Sequence, residues 1–310
     1  MTNLAAIGPR TTYATKLLIL PDTLGTRCPA AQVAASRISD SARSKQGMIL
    51  GTATGRTMVD VYNEVAVLAV TGQLEPHQIG GFFGLDEYVR KQFALTYLAF
   101  MNTHLYGPLG IAPTDSRIHL PKWDTGDAET ECIRYEAEIR LSDGVDLQLL
   151  GIGRNGHAAF NEPGTPFDSV THVVELTQST RIANSPEDMT DDEKNILGLR
   201  GNEDPTPLID GWGEAQRDLF FQVILPRVPA FAMTQGIATI LSARSLLMLV
   251  TGAKKREALF DTLLKAPSLN VPASLMRFHP DFTIIADESA AATLPRSIGK
   301  NVGELQLISG

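Results

Sequence analysis

The chain has 310 residues, of which 43% are apolar and 20% charged, and a net charge of −8. This length and mixture suit a globular enzyme of one large domain or two small ones, with enough chain to bury a sizeable core. No basic run is longer than Lys254-Lys255-Arg256, which argues against a nucleic-acid groove. The two cysteines, Cys28 and Cys132, are far apart and form neither a metal pattern nor a disulfide framework. The apolar run 17–20, stopped by Pro21, is too short for a signal segment or a membrane span. These features predict a cytoplasmic protein with free thiols and no membrane partner.

In chain order, residues 28–46 are rich in Ala and predict a helix. Residues 48–51 form a short apolar run ending in Gly51, and 57–68 follow with helical spacing of apolar residues. A second strand–glycine unit spans 145–160, where an apolar run leads into Gly151-Ile152-Gly153. Residues 245–250 predict a third strand, which enters Thr251-Gly252 and a helix over 254–264. Residues 282–286 predict a fourth, ending in Asp287. Strands alternating with helices indicate an α/β, doubly wound, mostly parallel Rossmann-like sheet with helices on both faces, here read as a single domain over 1–310. Residues 186–218 differ in texture: acidic, broken by Gly and Pro, and weakly periodic. They predict an inserted surface loop or lid with a short helix near 190–199, the alternative being a solvated decoration.

Ligands of such folds dock beyond the carboxyl ends of the strands, so the polar residues after each apolar run are the candidates. The segment Gly51-Thr52-Ala53-Thr54-Gly55-Arg56-Thr57 follows a strand and opens a helix, where backbone N–H groups and the Thr54 and Thr57 hydroxyls suit an anion. It is neither a Walker A loop nor a dinucleotide fingerprint. Asp86 and Glu87 are adjacent carboxylates after an apolar pair; they read either as a general base in a cleft or as a helix N-terminus. The segment from Gly153 to Pro163 packs glycines, Asn155, His157 and Glu162 into the turn after a strand. A curved loop there brings Glu162 to His157, and a carboxylate against an imidazole sets its tautomer and raises its basicity.

Together these segments resemble the glucosamine-6-phosphate deaminase family, in a superfamily shared with the 6-phosphogluconolactonases. The likeness runs from about residue 48 to 290 and keeps the motif order: Thr-Gly-x-Thr at 54–57, Leu-Asp-Glu-Tyr-Val at 85–89, Gly-x-Asn-Gly-His-x-x-Phe-Asn-Glu-Pro at 153–163 and Thr-Arg-x-Ala-Asn-Ser at 180–185. Ala232-Met233-Thr234-x-Gly236, Gly252-x-x-Lys255 and Arg277-Phe278-His279-Pro280 follow.

The resemblance implies a cofactor-free, metal-free isomerisation and deamination of glucosamine 6-phosphate to fructose 6-phosphate and ammonia. It implies that His157 assists ring opening, that Asp86 moves a proton from C2 to C1, and that Glu162 orients His157. Asn155 stands where many relatives have Asp and others Asn. Thr54, Gly55, Thr57 and Lys255 form the implied phosphate cradle. Family members range from monomers to hexamers, so a homo-oligomer stays open.

Three departures bear on the substrate. Arg56 replaces a small residue of the phosphate loop. The family's phosphate-binding Arg after Ala-Asn-Ser is replaced by Pro186, leaving Arg56 or Arg217 as candidates for the lost cation. The stretch after Val89 lacks the family's His-Pro-x-Ser-Tyr and reads Phe93-Ala94-Leu95-Thr96-Tyr97. Two alternatives therefore stay open beside the deaminase: an enzyme acting on another amino sugar phosphate or a 6-phosphogluconolactone, and a non-catalytic sugar-phosphate sensor.

Overall fold

Runs of β-branched and aliphatic residues too short for helices form the strands, and in those over Leu147–Leu150 and Phe282–Asp287 every residue is buried. In a strand successive side chains point to opposite faces, so a continuous buried run means that both faces are covered. The computed structural model describes residues 13–25, 27–89, 96–200, 205–295, 298 and 305–308. The strands are β1 (Thr15–Leu20), β2 (Met48–Thr52), β3 (Ile79–Gly84), β4 (Asp86–Tyr88), β5 (Ile118–His119), β6 (Leu147–Leu150), β7 (His172–Glu175), β8 (Phe231–Thr234), β9 (Ser245–Val250), β10 (Phe282–Asp287) and β11 (Leu305–Ile308). Between them lie α1 (Pro29–Ser44), α2 (Arg56–Val70), α3 (Tyr97–Met101), α4 (Ala128–Leu141), α5 (Gln178–Asn184), α6 (Asp191–Ile196), α7 (Glu214–Asp218), α8 (Ile237–Leu241), α9 (Arg256–Leu264) and α10 (Glu288–Ala291).

Eight strands form one sheet in the order β11-β1-β10-β9-β6-β2-β3-β5. All neighbours are parallel except β11, which runs antiparallel to β1. From β2 the chain winds outward through β3 to β5. It then returns to the other side of β2 as β6 and winds the opposite way through β9 and β10. The direction therefore reverses between β2 and β6, and the loops that leave these two strands diverge. The contact is close: a Cβ on Gly51 would lie 2.1 Å from the Gln148 side chain of β6, so a larger residue there would displace the Gln148 amide.

The helices form for local reasons. Helix α1 begins with Pro29 at its first turn and buries Ala30, Ala31, Ala34, Ala35, Ile38 and Ala42, a stripe at helical spacing. Helix α2 buries Met58, Val61, Tyr62 and Val65 in the same manner. Its N-cap is Gly55 at φ +96°, with no side-chain capping bond. The helix thus starts on a backbone conformation that a side chain would strain.

A second, three-stranded antiparallel sheet in the order β4-β8-β7 was not anticipated from the sequence. Asp86 and Glu87 do not start a helix; they lie on β4, opposite Thr234 and Met233 of β8. Alternation along the strand sends the two carboxylates apart. Glu87 is fully buried and accepts the backbone N–H groups of Tyr88, Tyr97 and Leu98, so it caps α3. The small sheet is tied to the large one by Leu85, whose N–H donates to Thr52 O (3.0 Å), and by Gln235, whose side chain donates to Gly84 O (3.0 Å).

Residues 186–218 contain the expected short helix, α6, started by a capping box between Thr190 and Glu193. They are more than a solvated excursion. Met189, Leu197, Leu199 and Trp212 are buried with Phe220, Ile224, Leu225 and Val228 in a core of their own, and the Trp212 indole donates to Leu197 O (3.0 Å). The sparse periodicity hid this because the apolar residues arrive one at a time from short turns. Cys28 and Cys132 are free and buried. Among the described residues no helix is long and apolar enough to cross a membrane.

Glu136 of α4 is a buried tie between the two sheets' surroundings. Its Oε2 accepts from the Thr171 N–H (3.1 Å) and hydroxyl (2.6 Å) and from the Thr239 hydroxyl of α8 (2.8 Å). Removing this acceptor strands three buried donors, so Glu136→Ala is expected to lower stability in urea unfolding by about 3 kcal/mol. A loss below about 0.5 kcal/mol, the range of ordinary surface changes, would contradict that role.

Candidate active site

Four loops meet at the reversal point of the large sheet. They follow β2, β3, β6 and β9, and each brings a chemical group. The loop after β6 is the most constrained. Gly153 N–H donates to His157 O (2.9 Å) and Gly156 N–H to Gly153 O (3.1 Å), which curls 153–157 into a tight turn. The curl lays the His157 ring on Gly153: a Cβ there would stand 2.3 Å from the imidazole. Gly156 has φ +82°, and a Cβ on it would meet Val271 at 2.7 Å. These two glycines are therefore required by the position of the histidine.

The ring faces Glu162, with His157 Nδ1 3.8 Å from Glu162 Oε2. Glu162 is held from three directions. Asn155 Nδ2 donates to Oε2 (2.7 Å), the Thr177 hydroxyl donates to Oε1 (3.1 Å), and the Thr180 hydroxyl donates to the same oxygen. Asn155 also accepts the His157 N–H through Oδ1 (3.3 Å). An aspartate at 155 could accept from His157 but could not donate to Glu162, so the asparagine fits this arrangement. His157 Nδ1 is buried without a hydrogen-bond partner. Burial pushes the imidazole below its ordinary value, Glu162 opposes that, and nearby Lys255 adds to it. The ring is thus neutral around pH 7.

The same loop docks on the small sheet. Phe160 N–H donates to the Thr234 hydroxyl (3.1 Å), and Thr234 is the cross-strand neighbour of Asp86. Phe160 packs against Tyr88 and Tyr97, with ring centroids 5.5 and 6.1 Å away. Asn161 is buried and donates to Ala158 O (2.9 Å) and Gln235 O (2.8 Å). Asp86 is buried as well, and its charge is felt at the Tyr62 hydroxyl, which donates to Ala53 O in the loop after β2 (2.5 Å). Burial raises the Tyr62 phenol strongly, so it stays protonated and acts as a donor.

The loop after β2 carries Thr54, Gly55, Arg56 and Thr57 at the start of α2. Thr57 Oγ1 lies 3.2 Å from Thr251 Oγ1, which joins this loop to the one after β9 that carries Lys255. Arg56 is exposed at the first residue of the helix. Arg217 is not brought here by its bonds: its guanidinium donates to Trp212 O (3.1 Å) and Asp210 O (3.1 Å) within the inserted segment. The segment 186–218 does touch the site loop, since Arg154 Nη2 donates to the Thr206 hydroxyl (2.9 Å). Residues 93–95 lie outside the described residues, while Thr96 caps α3.

Sequence reasoning missed Thr177, Thr180, Tyr62, Thr251 and Gln235 as supporting residues. Thr177 and Thr180 had a readable signal, a Thr that caps a helix three residues before a second hydroxyl. What that signal did not give is that both hydroxyls face Glu162.

Because the folded imidazole binds its proton less readily than an unfolded one at about 6.5, stability falls as pH drops below that value and keeps falling until the folded ring titrates. NMR titration is expected to place the His157 midpoint below pH 6. Glu162→Gln, which removes the raising charge, is expected to lower the midpoint further. A wild-type midpoint at or above 6.5, or a rise in the variant, would contradict the described environment.

No family model matches the chain. It is 37% identical over 271 residues to glucosamine-6-phosphate deaminase 2 of Giardia intestinalis, covering 87% of this chain and 89% of that protein. Among solved structures, a monomeric glucosamine-6-phosphate deaminase of the NagB superfamily superposes with a TM-score of 0.71 at 32% identity, over 89% of this chain and 99% of that one. A 6-phosphogluconolactonase from Thermotoga maritima gives 0.58 at 21% identity, over 87% of this chain and 98% of that one, a likeness of fold alone. With the identity spread along nearly the whole length of its relatives, the chain belongs to the glucosamine-6-phosphate deaminase family.

Proposed function

We propose that the chain is a glucosamine-6-phosphate deaminase, which converts glucosamine 6-phosphate and water to fructose 6-phosphate and ammonia. The observation that carries the reading is the pairing of a neutral His157 with a triply held Glu162 on a loop docked beside Asp86. Proton transfer next to a carbonyl needs a positioned base and a second group that manages charge on the oxygens. Asp86 and His157 supply these in separate roles.

The ring must open first, because only the open-chain aldehyde acidifies the C2 hydrogen. Neutral His157 accepts the proton of the C1 hydroxyl and returns one to the ring oxygen, while Glu162 stabilises the imidazolium formed in between. Asp86 then takes the C2 proton while a proton of the 2-ammonium group passes to O1, giving a 2-amino-1-enol. Returning the proton to C1 leaves an imine at C2. Water adds there, ammonia departs, and the ketose remains. Every step is acid–base chemistry, and no redox partner is needed.

The 6-phosphate lies remote from the reacting carbons and fixes their orientation. We assign it to the start of α2, with Thr54, Gly55 and Thr57, and to Lys255 from the neighbouring loop. Arg56, exposed on the first turn of α2, supplies the second cation in place of the family's arginine after Ala-Asn-Ser. Arg217 is set aside because carbonyls of the insertion occupy its guanidinium.

Purified protein given glucosamine 6-phosphate is expected to release ammonia and fructose 6-phosphate in equal amounts, measured in the same sample. Asp86→Asn, which keeps the shape but not the base, is expected to lower kcat by about 1000-fold. Absence of both products from folded wild-type protein, or an Asp86→Asn variant within about tenfold of wild type, would overturn the reading.

A further inference from the structure

The turn that carries Lys255 does not hold its shape alone. It runs from Thr251 through Gly252, at φ +87°, into a short 3-10 turn over Ala253–Lys255. Its anchor is the end of the next strand. Val250 of β9 sits opposite Ala286 of β10, so the register places Gly252 near Asp287, the last residue of β10. Asp287 is buried, and both carboxylate oxygens accept the Gly252 N–H (3.0 and 2.8 Å). Its Oδ1 also accepts from Ala290 N–H (2.7 Å), which caps α10. The Lys255 N–H in turn donates to Gly252 O (3.0 Å). The chain of bonds runs from Asp287 to Gly252 to Lys255.

Two further contacts fix the turn against its neighbours. Thr251 meets Thr57 across the gap to the α2 loop, and Arg256 Nε donates to Ser289 O (2.7 Å). A second carboxylate, Asp22, holds the same end of α10 by accepting the Ser289 N–H and hydroxyl (both 2.7 Å), but it bonds Ser289 and not Gly252. Keeping Asp287 ionised has a cost, since burial raises its carboxyl and Asp22 adds to the rise. An acid retained under that cost calls for an interaction that a neutral side chain would not make as well.

We propose that Asp287 is a positioning residue for the sugar phosphate, holding the Gly252 turn in the shape that sets Lys255 beside His157. It acts through the turn and touches no reacting atom. A corollary is that the Gly252 N–H, committed to Asp287, is withheld from the phosphate. The inference rests on the assignment of Lys255 to the phosphate.

The test compares wild type, Asp287→Ala, Asp287→Asn and Asp22→Ala, each confirmed as folded by circular dichroism. Two quantities are read: KM and kcat for glucosamine 6-phosphate, and Kd for inorganic phosphate by calorimetry. Asp287→Ala is expected to raise both KM and Kd about tenfold with kcat within about twofold, the signature of lost binding that is uniform along the reaction. Asp287→Asn keeps one acceptor oxygen and is expected to recover part of the loss. Asp22→Ala, which weakens the same helix end without touching Gly252, is expected to leave KM and Kd within about twofold. Unchanged KM and Kd in folded Asp287→Ala would overturn the proposal, as would an equal loss in Asp22→Ala. If the alanine variant does not fold, Asp287→Asn decides: an unchanged Kd overturns the proposal and a raised one supports it. Phosphate binding that weakens in Asp287→Ala without any wild-type turnover would sustain this role while refuting the deaminase reading. A wild type that neither turns over glucosamine 6-phosphate nor binds phosphate would refute both.

Discussion

The reversal of winding between β2 and β6 is the constraint on which the rest of the structure depends. Two adjacent parallel strands send the chain away in opposite directions, so their following loops part and leave backbone N–H groups and side chains facing each other. Gly51 against Gln148 keeps those strands close, and Gly55 lets α2 start without a capping side chain. On the other strand, Gly153 and Gly156 allow the chain to fold back so that His157 rests on backbone. The site is thus built on glycines that either adopt a left-handed backbone or leave room for a neighbouring side chain, and its polar groups inherit their positions from them.

The small sheet completes what the large one starts. Asp86 comes from a strand only three residues long whose partner, β8, arrives about 150 residues later in the chain. That strand also supplies Thr234, which receives Phe160 from the histidine loop, so one antiparallel ladder registers Asp86 against that loop. The segment between α5 and β8 has a core of its own and reaches the site loop through Arg154 and Thr206. Its acidic surface and its apolar interior are separate features, and the sequence displays the first more openly than the second.

Much of the large sheet was legible from its apolar runs. Residues 48–51, 245–250 and 282–286 are long enough, and sharply enough bounded by glycine or charge, to read as buried strands. The small sheet was not legible. Asp86-Glu87-Tyr88 is too short and too polar to show a period, and its pairing is a long-range contact that no local pattern encodes. The capping preference of acidic residues suggested a helix start; Glu87 does cap a helix, though α3 rather than one beginning at its own position. The histidine loop was legible because so many glycines and polar groups fall after one strand. What could not be read there is the far side of Glu162, where Thr177 and Thr180 come from α5 after a further strand. The loop after β2 shows the same limit: Arg56 and Arg217 looked equivalent in sequence, and the carbonyls of Trp212 and Asp210 separate them.

The central claim is that one base, Asp86, carries a proton between C2 and C1 on a single face of an open-chain sugar held by its phosphate. Turnover of glucosamine 6-phosphate in deuterium oxide, followed by NMR at C1 of the ketose product, reads that transfer directly. The expected product is fructose 6-phosphate in which any deuterium at C1 occupies one of the two diastereotopic positions. Deuterium distributed over both positions, or no ketose formed by the folded protein, would contradict it.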